Sequence, residues 1–375
     1  MVGSTQLVSP GSRPTVDGKF VMGAGTLFSG LKSTLPGSFP HLNLDNSSNV
    51  TVENCEFDSL TQMVNYDGFT GNFVFRNNMV NSGSPGTVLA GTMMGTASLT
   101  IEDNTFSQGS TFIALSGSPA LVNVIFARNT GTYRLFTQAQ AGSTLNLDFI
   151  DNNQMGPVPT GNRFDYRGGG GNLTMTGNHY VTTAATLFQT DGTSLGGSVT
   201  ASNESYQDTD EALDLQLAGG PIQAVVDGVT CAGSNNNLAD VSLTVSSQSA
   251  AVVKNCQLGF GLRAVGLAGC DLELGVLDNL VGKEPGLAGA ARRQLVISLG
   301  GGPSDRICAK VTGNDVGLPA PTGALLMDNP AGTLQVESAA TVPSDNQATG
   351  GFFLNGLTDV PIGSCQFPGS NGPGV

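Results

Sequence analysis

The chain has 375 residues, 53 of them glycine and none tryptophan, and its formal net charge is −14. Charged residues make up 12%, about half of the ~25% usual in globular domains. Such a balance excludes nucleic-acid binding, which needs clustered Lys and Arg to neutralise phosphate. It equally excludes a disordered coil, since 39% of the residues are hydrophobic and can build a core.

Residues 1–40 fit no repeat and contain Pro10, Pro14, Pro36 and Pro40, which predicts an N-terminal cap or attachment segment. The start, Met1 to Leu7, lacks the basic and apolar parts of a secretory signal, so assembly in the cytoplasm is expected. No apolar run approaches the ~18 residues of a membrane span. From 41 to 342 a short motif recurs: alternating β-formers, then a polar corner with asparagine. It reads Val50-Thr-Val-Glu-Asn54, Phe73-Val-Phe-Arg-Asn-Asn78 and Leu99-Thr-Ile-Glu-Asp-Asn104. It returns as Val124-Ile-Phe-Ala-Arg-Asn129, Leu147-Asp-Phe-Ile-Asp-Asn-Asn153, Leu173-Thr-Met-Thr-Gly-Asn178 and Val199-Thr-Ala-Ser-Asn203. Val225-Val-Asp-Gly228 fills the slot without asparagine, and Asn255, Asn279 and the looser Asn314 follow. From Asn54 to Asn279 the mean step is 25 residues; the step to Asn314 is longer, which predicts an insertion over Lys283–Gln294. Residues 343–375 predict a C-terminal cap and tail.

Each repeat alternates with period 2 between turn residues, which predicts strands and excludes helical repeats. A five-residue strand cannot close a 25-residue unit alone. The expected fold class is therefore all-β, a parallel β-helix (solenoid) of about 11–12 coils, rising ~4.8 Å per coil. Stacked asparagines tolerate the left-handed backbone of corners and hydrogen-bond along the stack. The expected ladder is Asn54, Asn78, Asn104, Asn129, Asn153, Asn178, Asn203, Asn255, Asn279 and Asn314. The expected core includes Val50, Val52, Phe73, Phe75, Leu99, Ile101, Val124, Phe126, Leu147, Phe149, Leu173, Met175, Val199 and Val252. The slots Glu53, Arg76, Glu102, Arg128 and Asp151 mostly alternate in sign, which suits neighbours ~5 Å apart.

This pattern resembles the right-handed parallel β-helix, or pectin-lyase-like, superfamily over about residues 41–342. The resemblance implies the fold and a choice among polysaccharide lyases and hydrolases, epimerases, phage tailspikes and other virion appendages, and adhesins. The Asn-Thr-Asp, Asp-Asp, Gly-His-Gly and Arg-Ile-Lys motifs of polygalacturonase-like members are absent. His41 and His179 lie too many coils apart to act together. The densest acidic cluster is Asp208, Asp210, Glu211 and Asp214. A turn of this kind is most often simply solvated, but it offers oxygen ligands for Ca²⁺ or an acid/base pair for a glycosidic bond. Weaker candidates are Asp148 with Asp151, and Asp165 with Arg163 and Arg167. Arg167-Gly-Gly-Gly-Gly171 lacks the Lys-Ser/Thr of a phosphate loop and reads as a tight corner. The six cysteines contain no C-x-x-C pair, so buried reduced thiols are expected, with Cys231 and Cys256 stacked one coil apart. Asn46, Asn49, Asn172 and Asn203 head glycosylation sequons of the kind that Asn/Ser/Thr-rich chains produce by chance.

The expected function is a non-enzymatic virion structural protein: a phage spike, fibre or capsid-decoration subunit. It would be a homotrimer, docking other virion proteins through the N-terminal segment and meeting cell-surface polysaccharide, with no cofactor and no resident metal. The alternatives are a polysaccharide lyase or hydrolase, or an extracellular surface or filament protein.

Overall fold

The computed structural model describes residues 6–7, 13–16, 19–34, 40–59, 63–82, 87–107, 110–115, 120–155, 164–181, 186–190, 194–207, 212–232, 239–282, 295–317 and 325–370. The protein is all-β, 66% strand and 2% helix, a parallel β-solenoid of about 10 turns roughly 26 residues apart. Coils longer than the 25-residue motif step, such as the 35 residues from Asn279 to Asn314, raise that mean. The chain forms two compact units, Met1–Thr183 and Ala184–Val375.

In the first unit the motif strands stack in parallel. Phe73 lies between Val50 and Leu99, and the row continues through Val124, Leu147 and Leu173. A second inward row runs Val52, Phe75, Ile101, Phe126, Phe149 and Met175 along the same pairings. All twelve side chains are buried, each worth roughly 1.5–3 kcal/mol of transfer free energy. The rings of Phe126 and Phe149 stack with centroids 5.2 Å apart, because parallel in-register strands place like on like. Long strands such as Thr87–Glu102 and Arg134–Ile150 bend from one face to the next. The Arg167–Gly171 run is such a bend, inside strand Phe164–Thr176. Gly171 has φ +127°, and a Cβ there would stand 2.1 Å from the Leu145 carbonyl oxygen.

Pairing also takes in parts of residues 1–40. Gln6 pairs with Leu27, Thr15 with Lys32, and Leu27 with Thr51. In the second unit it runs to the end of strand Leu357–Val360. The solenoid thus extends beyond 41–342 at both ends, because strand pairing needs only extended backbone in register and not the asparagine motif.

At each motif corner two adjacent rows replace the single expected one. The first row has left-handed backbone: Asn54, Asn77, Asp103, Arg128, Asp151 and Gly177 in the first unit, and Asn203, Gly228, Asn255, Asp278 and Gly313 in the second, with φ between 51° and 70°. The next residue points inward and forms the ladder. Asn78, Asn104, Asn129, Asn152 and Asn178 are all buried. The backbone N–H and side-chain Nδ2 of Asn78, Asn104, Asn129 and Asn152 each donate to Oδ1 of the next member. In the second unit Asn279, Asn314 and Asn346 continue the pattern. Asn54, Asn203 and Asn255 therefore belong to the left-handed row, and Asn153 starts the following strand, paired with Thr130 and His179. The motif alone cannot tell these positions apart, because Asn-Asn and Asp-Asn-Asn offer asparagine to both.

The charged slots pair across coils. Arg76 lies 2.7 Å from Glu53, and Arg128 bridges Glu102 at 2.7 Å and Asp103 at 2.8 Å. The hydrogen bonds it donates to Asp103 and then to Glu102 hold the Arg128 guanidinium above its ordinary pKa. Asp151 shares the left-handed row with Arg128 and Asp103 but is not a member of these pairs.

Candidate functional site

The second unit carries a surface groove of about 440 Å³ on the outer side of its stacked strands. Gln223, Gln248, Asp271, Glu273, Arg306 and Gln366 line it. Parallel pairing builds the site: Gln248 pairs with Asp271 and Asp271 with Arg306, while Ala250, Glu273 and Cys308 form the next row. Arg306 donates from Nε to Asp271 Oδ1 at 2.8 Å, from Nη1 to Gln335 Oε1 at 3.0 Å, and from Nη2 to Glu273 Oε1. The other oxygen of Glu273 accepts the backbone N–H of Gln366 at 2.7 Å. Burial opposes the Arg306 charge, but Glu273 and Asp271 outweigh it and hold the guanidinium above its ordinary pKa. One guanidinium thus bridges both carboxylates and leaves the trio one net negative charge, and Gln223, Gln248, Ser249 and Gln366 supply the remaining polar lining.

Sulfur lies beside Glu273. Cys308 and Cys365 form a disulfide across 57 residues, which corrects the expectation of six reduced thiols. The expectation failed because the tail doubles back over the outer face, a contact no repeat encodes. Glu273 and both sulfurs lie within 4.8 Å of one another. A thiolate, not a disulfide sulfur, ligates metal, and Glu273 is already doubly engaged. The oxidised trio is therefore a structural clamp.

The remaining cysteines, 55, 231, 256 and 270, are reduced thiols and buried. Cys256 lies in the ladder row and donates its backbone N–H to Asn279 Oδ1, whereas Cys231 pairs with Tyr206. They occupy different rows and do not stack. Burial pushes Cys55 up to about 11 and Cys256 and Cys270 to about 12. At pH 8 their thiolate fraction falls by about a hundredfold or more against an ordinary thiol. An aromatic disulfide reagent at pH 8 is therefore expected to label almost none of them in the native protein and all four after denaturation; rapid native labelling would refute this.

Of the expected acidic cluster, Asp208, Asp210 and Glu211 lie outside the described residues. Asp214 sits in strand Leu213–Asp227, where it accepts from Gln216 Nε2 at 2.7 Å. Lys283–Gln294 and Arg163 also lie outside the described residues. Asp148 is exposed on a strand, while Asp165 is wholly buried beside Arg134 and Arg167. His41 is buried against the Ser33 hydroxyl, and His179 pairs with Asn153; they belong to different coils. Sequence reasoning missed Asp271, Glu273 and Arg306. The signal was present: Asp271 to Arg306 and Asn279 to Asn314 are separated by the same 35 residues, so removing the insertion aligns the pair.

Among the described residues no helix is long and apolar enough to cross a membrane. Fold and groove together define the class, a parallel β-solenoid with a strapped outer face. No protein family, curated protein or solved structure matches the chain.

Proposed function

We propose that the chain is a non-enzymatic structural protein of a virion, a spike, fibre or decoration subunit of the right-handed β-helix type, acting as a rigid trimeric rod. The observation that carries this reading is the state of the groove carboxylates. Asp271 and Glu273 share Arg306, and Glu273 also accepts Gln366 N–H. Glycosidic cleavage wants one free acid and one free base or nucleophile, and here both groups are committed to ion pairing. The buried asparagines of the corners are likewise committed to the stack. Such a solenoid, with each coil braced on the next, serves best as a stiff spacer.

Light scattering tests the assembly: the expected mass is three chains, and a monomer at all concentrations would sink the trimer. Incubation with a panel of acidic and neutral polysaccharides tests the chemistry, with no product release expected. Release that is lost in Asp210→Asn, or in Glu273→Gln, would establish the alternative reading, a polysaccharide lyase or hydrolase.

A further inference from the structure

The first unit holds a second charged cluster that the groove does not use. On the outer face, Phe136 pairs with Asp165 and Gln138 with Arg167, one coil apart. Arg134 stands two residues before Phe136 on the same strand. Alternation along each strand therefore brings Arg134, Phe136, Asp165 and Arg167 to one side. The Arg134 guanidinium carbon lies 5.6 Å from the Phe136 ring centroid and that of Arg167 5.3 Å. Both arginines reach the same oxygen, Asp165 Oδ2, at 2.8 and 3.3 Å.

The charge balance of this arrangement is incomplete. Two guanidiniums share one carboxylate oxygen, so neither makes the two-bond fork that guanidinium and carboxylate favour. The cluster carries one net positive charge in a chain of net charge −14. Asp165 is 0% exposed, its Oδ1 has no hydrogen-bond partner, and the Nε groups of Arg134 and Arg167 are buried without one. The carboxylate is thus fixed in place and holds the two arginines beside each other despite their repulsion. Their side chains remain about one third exposed, at 33% and 38%. Each guanidinium has five N–H donors and spends one on Asp165. Both guanidiniums lie over the Phe136 ring, which leaves the partly exposed Nη groups of the two side by side.

We propose that Arg134 and Arg167 form an oxyanion-binding site, with Asp165 and Phe136 as positioning residues. The ligand is a tetrahedral or planar oxyanion group, a sulfate, phosphate or carboxylate, either free or displayed on a polymer. Bound between the guanidiniums, it accepts a forked pair of hydrogen bonds and removes their mutual repulsion. The site is independent of the groove and of the structural role proposed above.

Calorimetric titration of the intact chain with sodium sulfate, sodium phosphate and sodium acetate tests the site, with sodium chloride at matched ionic strength as control. One saturable oxyanion per chain is expected, weakened about tenfold or more in Arg134→Gln and in Arg167→Gln and lost in the double variant. Arg134→Lys/Arg167→Lys keeps the charge and loses the fork. It is expected to bind more weakly than wild type and more tightly than the double glutamine variant, and it decides the matter if the glutamine variants misfold. Dextran sulfate compared with uncharged dextran separates a polymer-borne group from a free ion: tighter binding of the sulfated chain than of inorganic sulfate identifies the polymer. No saturable binding by wild type, binding equal to that of chloride, or a lysine double variant within twofold of wild type for every oxyanion would overturn the proposal.

Discussion

Replacing Cys365 by serine is expected to release the C-terminal strap and to lower the stability of the second unit by about 4 kcal/mol. That figure follows from the entropy of closing a loop of the observed length in the unfolded chain, here 57 residues. After strand Leu357–Val360 the chain turns back across the strands instead of adding another coil. Cys365 N–H donates to Glu337 Oε1 at 2.8 Å, and Gln366 N–H reaches Glu273, 93 residues earlier. Phe367, 6% exposed, lies with Val252, Cys308 and Cys365, and against Val225, Leu277 and Val360. Solenoid coils otherwise contact only their neighbours; the strap couples strands several coils apart. Gly275 makes its seat, since a Cβ there would stand 2.7 Å from the Phe367 ring. Gly275→Ala should therefore displace the ring at roughly 1–3 kcal/mol, the usual range for overpacking, with the disulfide intact. Denaturant unfolding, with limited proteolysis to detect freed residues 361–375, reads both effects. Wild type treated with a reductant should behave as Cys365→Ser does. A change below about 1 kcal/mol in both serine variants, Cys308→Ser and Cys365→Ser, would show that the strap contributes little.

Asn129→Ala is expected to cost about 3–5 kcal/mol, more than its small volume suggests. Asn129 Nδ2 donates to Ile101 O at 2.9 Å and to Asn152 Oδ1 at 3.1 Å. Its Oδ1 accepts both the N–H and the Nδ2 of Asn104. Truncation leaves the buried Asn104 N–H and Ile101 C=O without partners, each at about 1–3 kcal/mol, and adds a small void. Asn54→Ala makes the contrast. That residue is exposed and sits in the left-handed row with φ 56°, so its loss costs only the ~1 kcal/mol backbone preference. Chemical denaturation of the two variants checks the order. Equal losses would mean that the buried row is not the one that holds the corner.

The repeat was legible because parallel stacking in register imposes the same burial on every coil. Val50, Phe73, Leu99, Val124, Leu147 and Leu173 are all apolar since each must sit on the last. Val252 shows the limit of that logic. It pairs with Val225 and Gly275 on the outward row, while Ala251 and Val253 face inward. It is nonetheless 2% exposed, because Phe367 covers it from outside. The alternation pattern records which side a residue faces. It carries no record of a tail arriving from more than 100 positions away.

The candidate site divides in the same way. Asp208, Asp210, Glu211 and Asp214 stand out in the sequence because they are close along the chain. Asp271, Glu273 and Arg306 do not, since a long coil separates the arginine from its partners. Period-2 alternation and the regular asparagine step determined by themselves that the chain is a parallel β-solenoid, because local turn chemistry and nearest-coil stacking are both written at short range. Tertiary structure alone decided which asparagine of each corner points inward, which cysteines meet, and which charges share a guanidinium. Those outcomes depend on register between coils and on a strap that closes over them, and the free energy of both arises from contacts between residues distant in sequence.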